Sequence, residues 1–177
     1  GEEVTLRKNK DFLFSGRVKA GLFEFQAKDC SFEYDTFKLN MPTIENVRFK
    51  VRAFEKDENG FAPLVDVKTQ ISNISGNMLI DHPDNKNGLK DFPQYPIFTS
   101  QTESYVYYDQ DSALKEAYNR ERFYFYIYPF EMKNLVDFST DEISFAGSLN
   151  SGGILPDSLE ESLEVMPDYS LGFYKRT

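Results

Sequence analysis

The sequence predicts a mainly β fold: a curved antiparallel sheet, either an open trough or a two-layer sandwich, with one short helix near 112–120. Three observations predict it. Hydrophobic–x–Gly–x–hydrophobic pentads recur at Phe14-Ser15-Gly16-Arg17-Val18, Ile74-Ser75-Gly76-Asn77-Met78 and Phe145-Ala146-Gly147-Ser148-Leu149. Apolar and polar residues alternate at period two along much of the chain, the pattern of a strand with one covered face. Seventeen Phe and eleven Tyr, with no Trp, bring the aromatic content to 16%, and such side chains favour a pleated, half-buried surface.

The first and third pentads agree further, over Phe14-Gly16-Val18-Ala20-Gly21-Phe23 and Phe145-Gly147-Leu149-Ser151-Gly152-Ile154 at one constant offset. Gly16, Gly76 and Gly147 are expected to replace outward side chains where something approaches the strand closely. A module used at both ends of the chain predicts stacked β-units.

Taken in order, 12–25 reads as a hairpin turning near Ala20-Gly21. Phe32 and Tyr34, with Phe37 and Leu39, form the next strand. Val47, Phe49, Val51 and Ala53 alternate with Arg48, Lys50 and Arg52, a strand wet on one face. Asp57-Glu58-Asn59-Gly60 is a turn. Residues 64–80 give a pair of strands around Ser72-Asn73, and 81–96 form a polar loop with three prolines and no periodicity. Strand resumes over 97–108. The 112–120 window is helical, with Ser112 as N-cap and Lys115-Glu116 exposed. Over 122–130, Phe123, Phe125 and Ile127 share one face and Tyr124, Tyr126 and Tyr128 the other; this strand reads as central and covered on both sides, or as lining a groove. Residues 143–151 repeat the opening pattern, and strands near Leu163 and Leu171 close the chain. Some nine strands against one helix are expected.

The 177 residues suit a single domain over 1–177. The net charge of −9 repels nucleic-acid phosphates and anionic headgroups, so no nucleic-acid partner is expected. Cys30 is the only cysteine, which excludes an intrachain disulfide and a thiol-rich metal site. The longest strongly apolar stretch, 123–130, falls far short of the ~20 residues of a membrane helix. Gly1-Glu2-Glu3 has neither the basic nor the apolar character of a secretory leader. The abrupt stop at Tyr174-Lys175-Arg176-Thr177, after an apolar strand pattern, reads as a piece of a longer chain built from repeated β-modules.

No catalytic motif is present, and the chain reads as non-enzymatic, without cofactor or metal. His82, the sole histidine, lies beside Pro83 and has only Asp81 and Asp84 near it in sequence; it reads as a loop residue. Asp81, Asp84, Asn85, Asn87 and Gly88 offer oxygens that calcium uses, but their spacing misses the EF-hand loop, so they read as turn residues. The carboxylate pairs Glu2-Glu3, Asp57-Glu58 and Glu160-Glu161 read as solvated surface. Tyr105, Tyr107, Tyr124, Tyr126 and Tyr128 are the candidate binding face. Such ladders stabilise sheets, and their ring faces also stack on sugars.

Several phrases resemble one family. They are Leu79-Ile80-Asp81-His82-Pro83-Asp84-Asn85-Lys86-Asn87-Gly88, Tyr95-Pro96-Ile97-Phe98, Ser104-Tyr105-Val106-Tyr107-Tyr108-Asp109, Arg120-Glu121-Arg122-Phe123-Tyr124-Phe125, Phe145-Ala146-Gly147, Gly153-Ile154-Leu155-Pro156 and Pro167-Asp168-Tyr169-Ser170-Leu171-Gly172-Phe173. Together they are similar to the AsmA/TamB-like proteins of the bacterial envelope. The resemblance implies a periplasmic, non-enzymatic β-segment of a much longer chain, part of a groove that shields lipid between membranes. Its partners would be phospholipid acyl chains and neighbouring segments. No functional residue transfers with it. The alternative is a β-sandwich module that recognises glycan or peptide through its tyrosine-rich face. A hydrolase with scattered carboxylates ranks last, since no motif supports it.

Overall fold

The computed structural model describes residues 4–109, 119–155 and 159–174. Among them, thirteen strands form one antiparallel sheet: β1 (Val4–Leu6), β2 (Phe12–Ala20), β3 (Phe23–Glu33), β4 (Lys38–Arg52), β5 (Leu64–Asp66), β6 (Ile71–Leu79), β7 (Ile97–Ser100), β8 (Ser104–Tyr107), β9 (Tyr124–Ile127), β10 (Glu131–Met132), β11 (Ser144–Asn150), β12 (Leu159–Val165) and β13 (Leu171–Gly172). Two short 3-10 turns, Pro83–Asn85 and Thr140–Glu142, are the helical elements described. The expected 112–120 helix lies outside the described residues except at Asn119 and Arg120, which belong to a turn. There the amides of Arg122 and Phe123 both donate to the Asn119 carbonyl, at 2.9 and 2.8 Å.

The sheet is a meander in which neighbours in sequence are neighbours in space. Three of its strands are interrupted. β5 and β6 both pair with β4 and are parts of one strand broken at 67–70. β7 and β8 both run antiparallel to β6, separated by 101–103. β9 pairs with β8 and β10 with β7, so the next strand is broken in step. The second gap is held by Ser100: its amide donates to the Phe130 carbonyl at 2.8 Å, and its Oγ accepts the Phe130 amide at 2.7 Å. Such irregularities let a broad sheet bend.

The bend is visible in the core. Phe25 of β3 lies 4.9 Å from Phe98 of β7, and Phe49 of β4 lies 6.3 Å from Phe145 of β11. Strands this far apart in the sheet meet only because it curls and faces itself. Phe23, Phe25, Val47, Phe49, Ile74, Met78, Phe98, Val106, Phe125, Ile127, Phe145, Leu149 and Leu163 are buried on that inner face. The curl is fastened by the Leu22 amide on the Leu135 carbonyl and the Lys68 amide on the Tyr169 carbonyl, both 2.8 Å. Gly21 makes the first of these approaches: its φ is +58°, and a Cβ there would stand 2.2 Å from the Leu135 oxygen. The sheet remains open, with β1 and β13 as its end strands, and its inner face is filled by its own side chains.

Several boundaries differ from the sequence pattern. Phe32 belongs to the end of β3, which runs to Glu33, rather than opening a new strand, and Phe37, at φ +56°, belongs to the turn before β4. The break in 64–80 falls at 67–70, while Asn73 (φ +58°) is an irregularity within β6. β1 and β10 carried no signal of their own. The strand at 122–130 is not covered on both sides; its inner face is buried and its tyrosines face outward, half-buried or exposed. The pentads do not mark stacked units, because they fall in β2, β6 and β11 of one meander. Their glycines are not outward either. At period two, i and i+2 share a face, so Gly76 and Gly147 look inward beside Met78 and Leu149. A Cβ on Gly76 would meet the Phe98 ring at 2.7 Å, and one on Gly147 the Phe125 ring at 2.5 Å. Gly16 serves conformation: it sits at a register shift between β2 and β3 with φ +153°.

Candidate functional site

Pairing places all five candidate tyrosines together on the outer face. Tyr105 of β8 is opposite Tyr126 of β9, and Tyr107 opposite Tyr124. The register extends this into one row across β6, β8, β9, β11 and β12: Ser72, Tyr105, Tyr126, Ser148, Glu160. A second row runs Tyr107, Tyr124, Asn150. Tyr128 follows β9, its amide donating to the Ala146 carbonyl at 2.9 Å.

The rings tile without a gap. Tyr105 and Tyr107 stack at 6.0 Å and 8°, and Tyr105 meets Tyr124 and Tyr126 edge-on at 5.7 Å each. Tyr126 and Tyr128 are 5.6 Å apart at 87°. Polar groups hold the rim: Asn150 Nδ2 donates to the Tyr124 hydroxyl at 3.0 Å and Asn73 Nδ2 to that of Tyr107 at 3.3 Å. The Tyr128 hydroxyl donates to Glu160 Oε1 at 3.5 Å. Beyond Tyr128, a cleft of about 560 Å³ continues along β12, lined by Glu160, Glu161, Ser162, Glu164, Phe173 and Tyr174 among others. Asn73, Glu103, Asn150 and Glu160 carried no signal as a group in the sequence; only the cross-strand register assembles them.

Glu103 shapes the acid–base character of the face. Its carboxylate, beside the Tyr126 phenol and helped by desolvation, pushes that group up to about 12. Desolvation, then the charge of Glu103, raises Tyr105, and desolvation, then Glu160, raises Tyr128. Each shift favours the neutral phenol. The folded protein therefore holds these protons more tightly than the unfolded chain, whose tyrosines ionise near pH 10. The contribution of these tyrosines to stability is expected to be level below about pH 10 and to fall as pH rises from there towards 12. Ultraviolet titration of phenolate formation should show a late-ionising tyrosine that moves earlier in Glu103→Gln. A titration unchanged by that substitution would contradict the assignment.

The other candidates have structural employment. His82 stacks on Phe92 at 4.6 Å, and its Nδ1 accepts the Asp84 amide at 3.2 Å, capping the Pro83–Asn85 turn. Asp81 accepts from the His82 amide and Asn85 Nδ2, both 2.7 Å, and buried Asn85 also bonds both backbone groups of Lys90 at 2.8 Å. This loop spends its oxygens on itself, and among the described residues no cluster of three His, Cys, Asp or Glu could hold a metal ion. Asp57 Oδ1 closes its own turn by accepting the Asn59 and Phe61 amides. Glu160 and Glu161, adjacent on β12, point to opposite faces, and Glu2-Glu3 lies outside the described residues. Cys30 is buried, and burial pushes its thiol up to about 11, which leaves it unreactive. No described helix is long and apolar enough to cross a membrane.

Compared with protein-family models, curated proteins and solved structures, the chain finds no match.

Proposed function

We propose that the protein is a non-enzymatic binding module that takes an extended ligand, a glycan or a peptide, along its tyrosine face. The observation that carries this reading is the contiguity of five tyrosine rings on one rigid outer face, rimmed by Asn73, Asn150, Glu103 and Glu160. Tyrosine offers large contact area with few torsions to freeze, and its hydroxyl keeps a hydrogen bond at the wet edge. Amide and carboxylate side chains beside it supply direction. Calorimetric titration with soluble oligosaccharides and with peptides, on the native protein and on Tyr105→Ala and Tyr126→Ala, tests the reading. Each substitution should weaken a bound ligand about tenfold or more. Binding that both variants retain in full would sink it.

A second reading follows from the resemblance to AsmA/TamB-like proteins: a periplasmic wall segment of a longer envelope protein, in contact with acyl chains and neighbouring segments. One observation favours it. At the open β1 end, Val4 and Leu6 are 59% and 78% exposed beside half-buried Phe12 and Phe14, an apolar margin that further sheet or lipid would cover. Extraction and mass spectrometry of protein purified from bacteria would find phospholipid in stoichiometric amount under this reading, and none if it fails.

A further inference from the structure

The tyrosine face already holds one guanidinium. Arg120 lies over the Tyr107 ring, 4.9 Å from its centroid, while Asp109 accepts from Nε at 2.6 Å and from Nη2 at 3.2 Å. A π face on one side and a carboxylate on the other are the two components of cation recognition. The opposite half of the platform repeats both components. Tyr126 and Tyr128 present their rings at a right angle, the Glu103 carboxylate stands beside the Tyr126 phenol, and Glu160 accepts from the Tyr128 hydroxyl. Among the described residues, no lysine or arginine forms an ion pair with Glu103 or Glu160. The adjoining cleft brings Glu164 and Tyr174, and among the described residues no basic side chain lines it.

Charge then selects among ligands. A phosphorylated or uronic-acid glycan would place its anions against Glu103 and Glu160, in a chain of net charge −9. A neutral sugar would desolvate the same carboxylates and return no charge to them. An arginine or lysine side chain satisfies ring and carboxylate together, as Arg120 does. An extended peptide also presents alternate side chains on one face about 6.8 Å apart, so one cation can seat on the rings while the next enters the cleft.

Resting on the platform reading above, we propose that the ligand is a polypeptide segment bearing arginine or lysine, with one cationic side chain seated on Tyr126 and Tyr128 between Glu103 and Glu160. The test is titration of the 177-residue protein with an octapeptide of alternating Arg and Ser, its Glu–Ser counterpart, and chitohexaose. The basic peptide should bind, and the other two should not. Glu103→Gln/Glu160→Gln should weaken it at least about tenfold. Glu55→Gln/Glu58→Gln, which removes the same charge from a remote exposed loop, should leave it within about twofold. Tyr126→Phe, which keeps the ring, should retain binding that Tyr126→Leu loses. No binding of the basic peptide, or equal losses in the two charge-removing doubles, would overturn the proposal. If chitohexaose bound instead and Tyr126→Leu abolished it, the cationic ligand would be refuted while the platform reading stood. If no ligand responded to Tyr126→Leu, both would fall.

Discussion

Replacing Phe125 with alanine is expected to destabilise the protein by about 3–5 kcal/mol. Phe125 is 0% exposed and faces inward from β9. Register places it opposite Val106 on β8 and Leu149 on β11, both buried, and Phe173 closes over it at 6.1 Å. Alanine would leave a void walled by three strands whose backbones are fixed by their ladders, so little of it could collapse. Tyr124 provides the contrast. It lies one residue away on the outer face, and Tyr124→Ala should cost under about 1 kcal/mol, the scale of a cross-strand pair. Urea denaturation of both variants measures the difference; equal losses would mean that the strand's phase is wrong.

Gly147→Ala is the second large effect, from the opposite cause. The new Cβ would stand 2.0 Å from the Tyr126 carbonyl oxygen and 2.5 Å from the Phe125 ring. A side chain tip can swing away, but the Tyr126 carbonyl belongs to the β9–β11 ladder and cannot move without unpairing it. The loss should reach or exceed the upper end of the roughly 1–3 kcal/mol typical of overpacking. Gly60→Ala is the control. Nothing lies within 4 Å of a Cβ there, so its cost is only the strain of φ +82°. A Gly147→Ala protein as stable as Gly60→Ala would show that the two strands do not approach as described.

These two residues also show what the sequence made legible. Period-two alternation was enough to put Phe125 on one face and Tyr124, Tyr126 and Tyr128 on the other, because parity on a strand is local. The hairpin at Gly21 and the one-sided strand through Val47 and Val51 were legible for the same reason. That the tyrosine face is left uncovered was not legible. The pentads stand out in the sequence with glycines that read as outward, although the same parity puts Gly147 beside Phe145 and Leu149. Strand boundaries failed where alternation ran on through a turn, as at Phe32 and Phe37, and where a left-handed residue such as Asn73 let a strand continue. The curl was not legible at all. It depends on breaks at 67–70 and 101–103 and on contacts such as Phe49 with Phe145, separated by most of the sheet. The rim of the tyrosine face was hidden likewise: Asn73, Glu103, Asn150 and Glu160 meet only once the register is fixed.

Under the proposed function the outer tyrosine face is the working surface, over an inner face already filled by its own side chains. Amide chemical-shift mapping during ligand titration tests this most directly. Perturbations should cluster at 103–107, 124–128, 148–150 and 160–162, with the amides of Phe25, Phe49, Phe98 and Phe145 unmoved. Shifts concentrated on those four phenylalanines, with the tyrosine strands silent, would place the ligand inside the curl of the sheet and contradict it.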